Sequence, residues 1–161
     1  MNAIVAVDQA WAIGNKGALL FRIPEYLKRF KALTTGHPVI LGRKTLETFP
    51  GGRPLPGRAN LILSRNPAFS VEGATVYPDL PHLLAEAPAD SFVIGGESVY
   101  RALLDHCESV YVTKIHATAP ADTFFPDLDS DPNWTVSEES GPMAHGELTF
   151  HYVTYRRAVP V

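Results

Sequence analysis

Short β-branched runs alternating with helical stretches predict an α/β fold on a central, mostly parallel sheet. Two further observations support this. The first five runs are short and continuously apolar, as strands covered on both faces require. The last two, Thr135–Glu138 and Phe150–Arg156, alternate polar with apolar residues, as an antiparallel pair at the C-terminal edge does. The 161 residues are 45% hydrophobic and 19% charged, which suits one domain spanning 1–161 around a sizeable core. No repeat, low-complexity tract or linker divides it.

Taken in order, Ala3–Val7 opens the sheet. Residues 12–21, A-I-G-N-K-G-A-L-L-F, follow as a Gly-bearing loop, either a mobile lid or a plain connection. Pro24–Leu33 is helical, with apolar residues at 27, 30 and 33 and a proline suited to a first helical position. The strand Pro38–Leu41 leads into the helix Lys44–Phe49. The loop G-R-P-L-P-G-R at 52–58 is stiffened by its prolines. Strands Asn60–Ser64 and Ala74–Val76, helix Leu80–Ala87, strand Ser91–Ile94, helix Glu97–Leu104 and strand Ser109–Ile115 complete the alternation. The count is about eight strands, with about four helices on both faces. Ligands in such sheets bind at the carboxyl ends of the strands.

Composition removes several function classes. The net charge of −3 gives no basis for bulk nucleic-acid or anionic-membrane binding. No apolar run approaches the roughly 18 residues of a membrane span, and the first residues read as a strand rather than a signal peptide. Cys107 is alone, so neither a disulfide framework nor a cysteine zinc site is expected, and the setting is cytoplasmic. Six scattered histidines show no metal-ligand spacing. Ser64 and Ser98 lack the G-x-S-x-G setting of a hydrolase nucleophile.

Three strand ends carry phosphate chemistry. In V-I-G-G-E-S-V-Y at 93–100, adjacent glycines let backbone approach a ligand and a helix start offers free N–H groups; a simple tight turn is the alternative. In V-I-L-G-R-K-T at 39–45, Arg43 and Lys44 stand at a second helix start. Ser64 and Arg65 end a third strand. Together they suit a monophosphate such as the 2′-phosphate of NADP, with a solvated basic rim as the alternative. Arg58 is either a bidentate carboxylate ligand or a structural arginine.

These segments, in this order, resemble dihydrofolate reductase from Ala3 to about Tyr155. The resemblance rests on Ala6–Val7–Asp8, Ile13–Gly14, the turn of Gly42, Arg43, Thr45 and Glu47, the unbroken R-P-L-P-G-R at 53–58, V-I-G-G-x-x-x-Y at 93–100, Thr113–Ile115, and Asp122 to Pro126. It implies NADPH-dependent reduction of 7,8-dihydrofolate to tetrahydrofolate, inhibition by antifolates, and a monomer. Arg43, Lys44, Ser64 and Arg65 would hold the 2′-phosphate. Thr45, Gly95, Gly96, Glu97, Ser98 and Val99 would line the pyrophosphate and ribose, and Tyr100 would sit near the nicotinamide. Ala6, Ile13, Gly14, Gly42, Leu63 and Thr123 complete the implied cofactor contacts. Ala3, Ile4, Leu27, Phe30, Phe49 and Ile94 would wall the pterin and benzoyl pocket, and Arg58 would take the α-carboxylate of the glutamate tail. The Gly95–Gly96 bond would be cis, and the loop around 12–21 would close over the nicotinamide.

One position departs from the family. Its catalytic acid falls two residues after a helix-starting proline, and here that position is Tyr26. The family's tryptophan in the preceding loop is replaced by Phe21. Tyrosine is neutral at pH 7 and supplies no negative charge to favour protonation of the pterin N5, so a slow reaction with altered pH dependence is expected. Thr113 would meet the tyrosine hydroxyl. Glu25 either reaches inward as a substitute or is an exposed first-turn acid favoured by the helix dipole. Two other readings follow: a reductase of another pterin or pyrimidine substrate, and a folate- or NADPH-binding module without catalysis.

Overall fold

The computed structural model describes residues 1–158. Its strands are β1 (Asn2–Val7), β2 (Ala12–Asn15), β3 (Ala18–Leu19), β4 (Val39–Gly42), β5 (Asn60–Leu63), β6 (Ala74–Tyr77), β7 (Phe92–Gly95), β8 (Ser109–Ile115), β9 (Thr123–Phe124), β10 (Trp134–Glu139), β11 (Met143–His145) and β12 (Leu148–Arg157). The main sheet runs β10-β12-β8-β1-β7-β4-β5-β6. The pairings from β8 across to β6 are all parallel. β12 is antiparallel to β8, and β10, antiparallel to β12, takes the edge. The short β11 adds to β12 as a ninth strand.

Near-continuous apolar runs in the central strands β1, β4, β5 and β7 give the sheet two buried faces, because successive side chains point opposite ways. Val39, Leu41, Ile62, Phe92 and Ile94 pack on one face with Phe30 and Leu33 of α1 (Pro24–Thr34) and Leu46 of α2 (Arg43–Glu47). Ile40, Leu61 and Val93 pack on the other with Leu83 of α3 (Leu80–Glu86) and Val99, Tyr100 and Leu103 of α4 (Glu97–Leu103). Helices therefore cover both faces. Among the described residues no helix is long and apolar enough to cross a membrane.

The segment expected as a loop at 12–21 holds a hairpin of β2 and β3. Lys16 and Gly17 both have positive φ, 50° and 79°, as a two-residue turn matched to strand twist requires. β2 also pairs with β9 in a separate three-stranded sheet. β2 mixes glycine and a polar residue with apolar ones and β3 has only two residues, so they lack the continuous apolar run that marks the short central strands.

Candidate active site

The carboxyl ends of β5, β4, β7 and β1 lie side by side on one edge of the sheet. Gly42 of β4 is in register with Leu63 of β5, so Arg43–Lys44 and Ser64–Arg65 leave the sheet as neighbours. Arg43 is half-buried, stacked 4.2 Å from the Phe69 ring centroid and 3.4 Å from Glu47. Lys44 and Arg65 are exposed, and Ser64 Oγ accepts from the Asn66 N–H.

Beside them, Gly95 has φ +139°, a conformation L side chains rarely adopt, and the Gly95–Gly96 bond is cis as expected. A Cβ on Gly95 would stand 3.3 Å from Thr45 Oγ1, and one on Gly96 3.4 Å from the same atom. Gly42 similarly faces Val99. The strand ends thus form a cradle of bare backbone between two helix starts, open at Ser98. Glu97 Oε1 accepts from the Phe124 N–H at 2.5 Å, tying α4 to β9.

The hairpin closes one side. Gly14 fits against Thr123, where a Cβ would come within 2.8 Å of Oγ1. Asp122 fastens the turn: its carboxylate accepts from the Lys16 N–H at 2.9 Å and its own N–H donates to the Gly14 carbonyl. Ile13 packs against the core below. Asp8, buried at the end of β1, accepts from the Ala10, Ala12 and Ala119 amides and anchors the hairpin's start.

Tyr100 is buried, donates its hydroxyl to the Ile4 carbonyl at 2.7 Å and meets Phe125 edge-on at 4.9 Å. Burial holds its phenol well above the usual tyrosine range, helped by neighbouring Tyr26 and Cys107. Phe21, Tyr26 and Ala6 pack together over Ile23, Ile115 and Phe150. The Tyr26 ring lies 6.2 Å from that of Phe30. Leu27 is half-buried between them along α1. Ile4, Phe30, Phe49 and Ile94 share one face, as a pterin wall requires. Ala3 does not: alternation along β1 turns it to the opposite core with Val5 and Val7, which corrects its assignment to that wall.

The expected Thr113–Tyr26 hydrogen bond is absent. Thr113 is buried beneath α1. Burial, the main cause, pushes the Tyr26 phenol far above its ordinary pKa, with Arg29 pulling the other way, so the side chain is neutral. Glu25 turns its Oε1 to His145 Nδ1 at 3.3 Å on β11, while its Oε2 is buried without a partner.

Arg58 is held from behind, its Nε on the Pro56 carbonyl at 2.9 Å and Nη1 on Thr34 Oγ1 at 3.1 Å. Asn60, buried at the start of β5, pins this loop through the Leu55 N–H and the Leu55 and Arg58 carbonyls. Sequence reasoning gives no role to Asn60, Asp122 or Arg29. For Arg29 a signal exists, since it stands three residues after Tyr26 on the same helix face. Asn60 and Asp122 act through contacts that chain order does not show.

Comparison with known proteins agrees with this arrangement. The family model described as dihydrofolate reductase matches residues 1–157. The dihydrofolate reductase of Mycobacterium leprae (strain TN) is 43% identical over 150 residues, covering 91% of this chain and 87% of that protein. That of Bacillus subtilis (strain 168) is 39% identical over 144 residues, covering 88% and 84%. A solved dihydrofolate reductase from Enterococcus faecalis, complexed with NADP(H) and RAB-propyl, superposes with a TM-score of 0.87 at 36% identity, covering 98% of this chain and 96% of that one. Sequence, sheet order and strand-end cradle thus point the same way, and the chain belongs to the dihydrofolate reductase family.

Proposed function

We propose that this protein reduces 7,8-dihydrofolate to 5,6,7,8-tetrahydrofolate with NADPH. Family membership over nearly the whole chain is the observation that carries the reading. The cradle fits the cofactor: bare glycine backbone beside Thr45, where a Cβ would crowd the space, adjoins a cluster of Arg43, Lys44 and Arg65. When bound, NADPH supplies the hydride that reduces C6 of the dihydropterin ring.

In this reading Arg43, Lys44, Ser64 and Arg65 take the 2′-phosphate. Thr45 and Gly95 to Val99 take the pyrophosphate and ribose. Ala6, Ile13, Gly14, Tyr100 and Thr123 surround the nicotinamide end. Ile4, Leu27, Phe30, Phe49 and Ile94 wall the pterin and benzoyl group, and Arg58 binds the tail carboxylate with the donors that Pro56 and Thr34 leave unused. The Tyr26 and Thr113 hydroxyls meet the 2-amino and N3 edge of the pterin. With Tyr26 neutral, no carboxylate at that position favours the proton at N5, so solvent delivers it without that help. Glu25, committed to His145, does not take the acid's place. The setting is cytoplasmic and monomeric, in keeping with a lone buried thiol.

The test is loss of NADPH absorbance with 7,8-dihydrofolate, followed across pH. Turnover supports the reading. Absence of turnover by folded protein that still binds NADPH would instead favour a binding module.

A further inference from the structure

Arg29 stands one helical turn after Tyr26, so both side chains leave α1 on the same side. Its guanidinium carbon lies 3.9 Å over the Tyr152 ring. Tyr152 is level with Thr113 in the β8–β12 register, and Thr113 with Ala6 in the β1–β8 register. Arg29 therefore covers the Tyr152 end of the row Ala6–Thr113–Tyr152, on the face where Tyr26 packs.

This cation is half-buried, and among the described residues no carboxylate comes within 4.0 Å of it. Glu25, four residues earlier and well placed for a helical ion pair, is turned to His145 instead. Glu139 is held by His151 at 3.0 Å. Glu138 on β10 and the phenols of Tyr111 and Tyr152 also face the guanidinium, but Glu138 is exposed and solvent-screened. The guanidinium borders a cleft of about 470 Å³ that Glu138, Glu139, Ser140, Tyr152 and Thr154 also line, so it reaches the pterin side only past Tyr152 and Tyr26. The charge that bears on the Tyr26 phenol is that of Arg29, not of an acid.

We infer that Arg29 sets the charge preference of the pterin site, which takes a heterocycle whose amide edge is neutral or anionic and disfavours one that is protonated. The inference rests on the reductase reading of that site. A 4-oxo ring turns a partly negative oxygen and a neutral N–H towards this region, and a nearby cation stabilises both that edge and its deprotonated form. A protonated diamino ring brings a like charge, with Tyr26 supplying no carboxylate to offset it.

The experiment compares two shape-matched probes, 6,7-dimethylpterin and 2,4-diamino-6,7-dimethylpteridine, binding to the NADP-loaded protein, read by probe fluorescence across pH. The natural protein should bind the 4-oxo probe more tightly and lose affinity for the diamino probe as acidification protonates it. Arg29→Gln should shift the affinity ratio about tenfold towards the diamino probe, and Arg29→Lys should hold it. A merely structural role would move both probes alike. A ratio unmoved by Arg29→Gln, or diamino affinity rising on acidification in the natural protein, would overturn the inference while leaving dihydrofolate turnover intact. If neither probe binds and dihydrofolate is not reduced, the reductase reading falls and this one with it.

Discussion

Replacing Tyr26 by aspartate installs a negative charge that the neutral phenol does not supply, and its consequences follow from the neighbours. Arg29, one turn away, would stand roughly 6 Å from the new carboxylate. At an effective dielectric near 20, that attraction is about 3 kcal/mol, enough to keep the introduced carboxyl ionised at neutral pH. The carboxylate then favours the cationic N5 of the protonated pterin, for which electrostatic or acid–base help is worth about 100-fold in rate. Against this, removing the ring forfeits its packing on Phe30, Phe21 and Ile23 and costs about 2 kcal/mol of stability. Tyr26→Phe separates the two effects, because it keeps the ring packed on Phe30, Phe21 and Ile23 while removing only the hydroxyl. The assay is NADPH oxidation with 7,8-dihydrofolate at several pH values, beside thermal melts. Tyr26→Asp should be faster at neutral pH, melt earlier, and gain an acid-side titration that the natural protein lacks. A folded Tyr26→Asp variant no faster than the natural protein would refute the idea that charge at this position limits the reaction.

Asn60→Ala removes three hydrogen bonds to the 55–58 loop from a buried position; it should destabilise by about 2–3 kcal/mol and raise KM for dihydrofolate more than it lowers kcat, as urea melts and steady-state kinetics would show. Arg58→Ala should raise the KM for dihydrofolate about 100-fold while sparing a tail-less pterin, so equal losses for both substrates would argue against its carboxylate role. Neutralising Lys44 and Arg65 together should erase most of the preference for NADPH over NADH and flatten its salt dependence, measured as the ratio of kcat/KM values. Tyr77 donates to Glu86 at 2.6 Å, and that bond first, with burial, pushes its pKa to about 12. Its folded value exceeds the unfolded one near 10, so the stabilisation is complete below about pH 10 and lost as pH rises through 12. Alkaline melts of Tyr77→Phe should therefore lack that part of the loss.

The strand ends that carry Arg43, Ser64 and Gly95, and the R-P-L-P-G-R loop, were legible in the chain because they are local: a buried apolar run fixes a strand, and the next residues must emerge at its end. The same locality identified Tyr26, since Pro24 before it and Leu27 and Phe30 after it hold the register. What chain order left open was decided by contacts between distant segments. Ala3 and Ile4 are both apolar, and only the packing of β1 shows which of them shares a face with Phe30 and Ile94. The hairpin at 12–19 needed β9, more than a hundred residues on, to give its few backbone groups partners. Glu25 had two directions open from the first turn of α1, and one of its oxygens lies 3.3 Å from His145 on β11, a contact 120 residues away in the chain. That choice left Arg29 with no carboxylate within 4.0 Å among the described residues, beside a neutral tyrosine, a charge arrangement set by which strands pack beneath the helix rather than by the helix's own sequence.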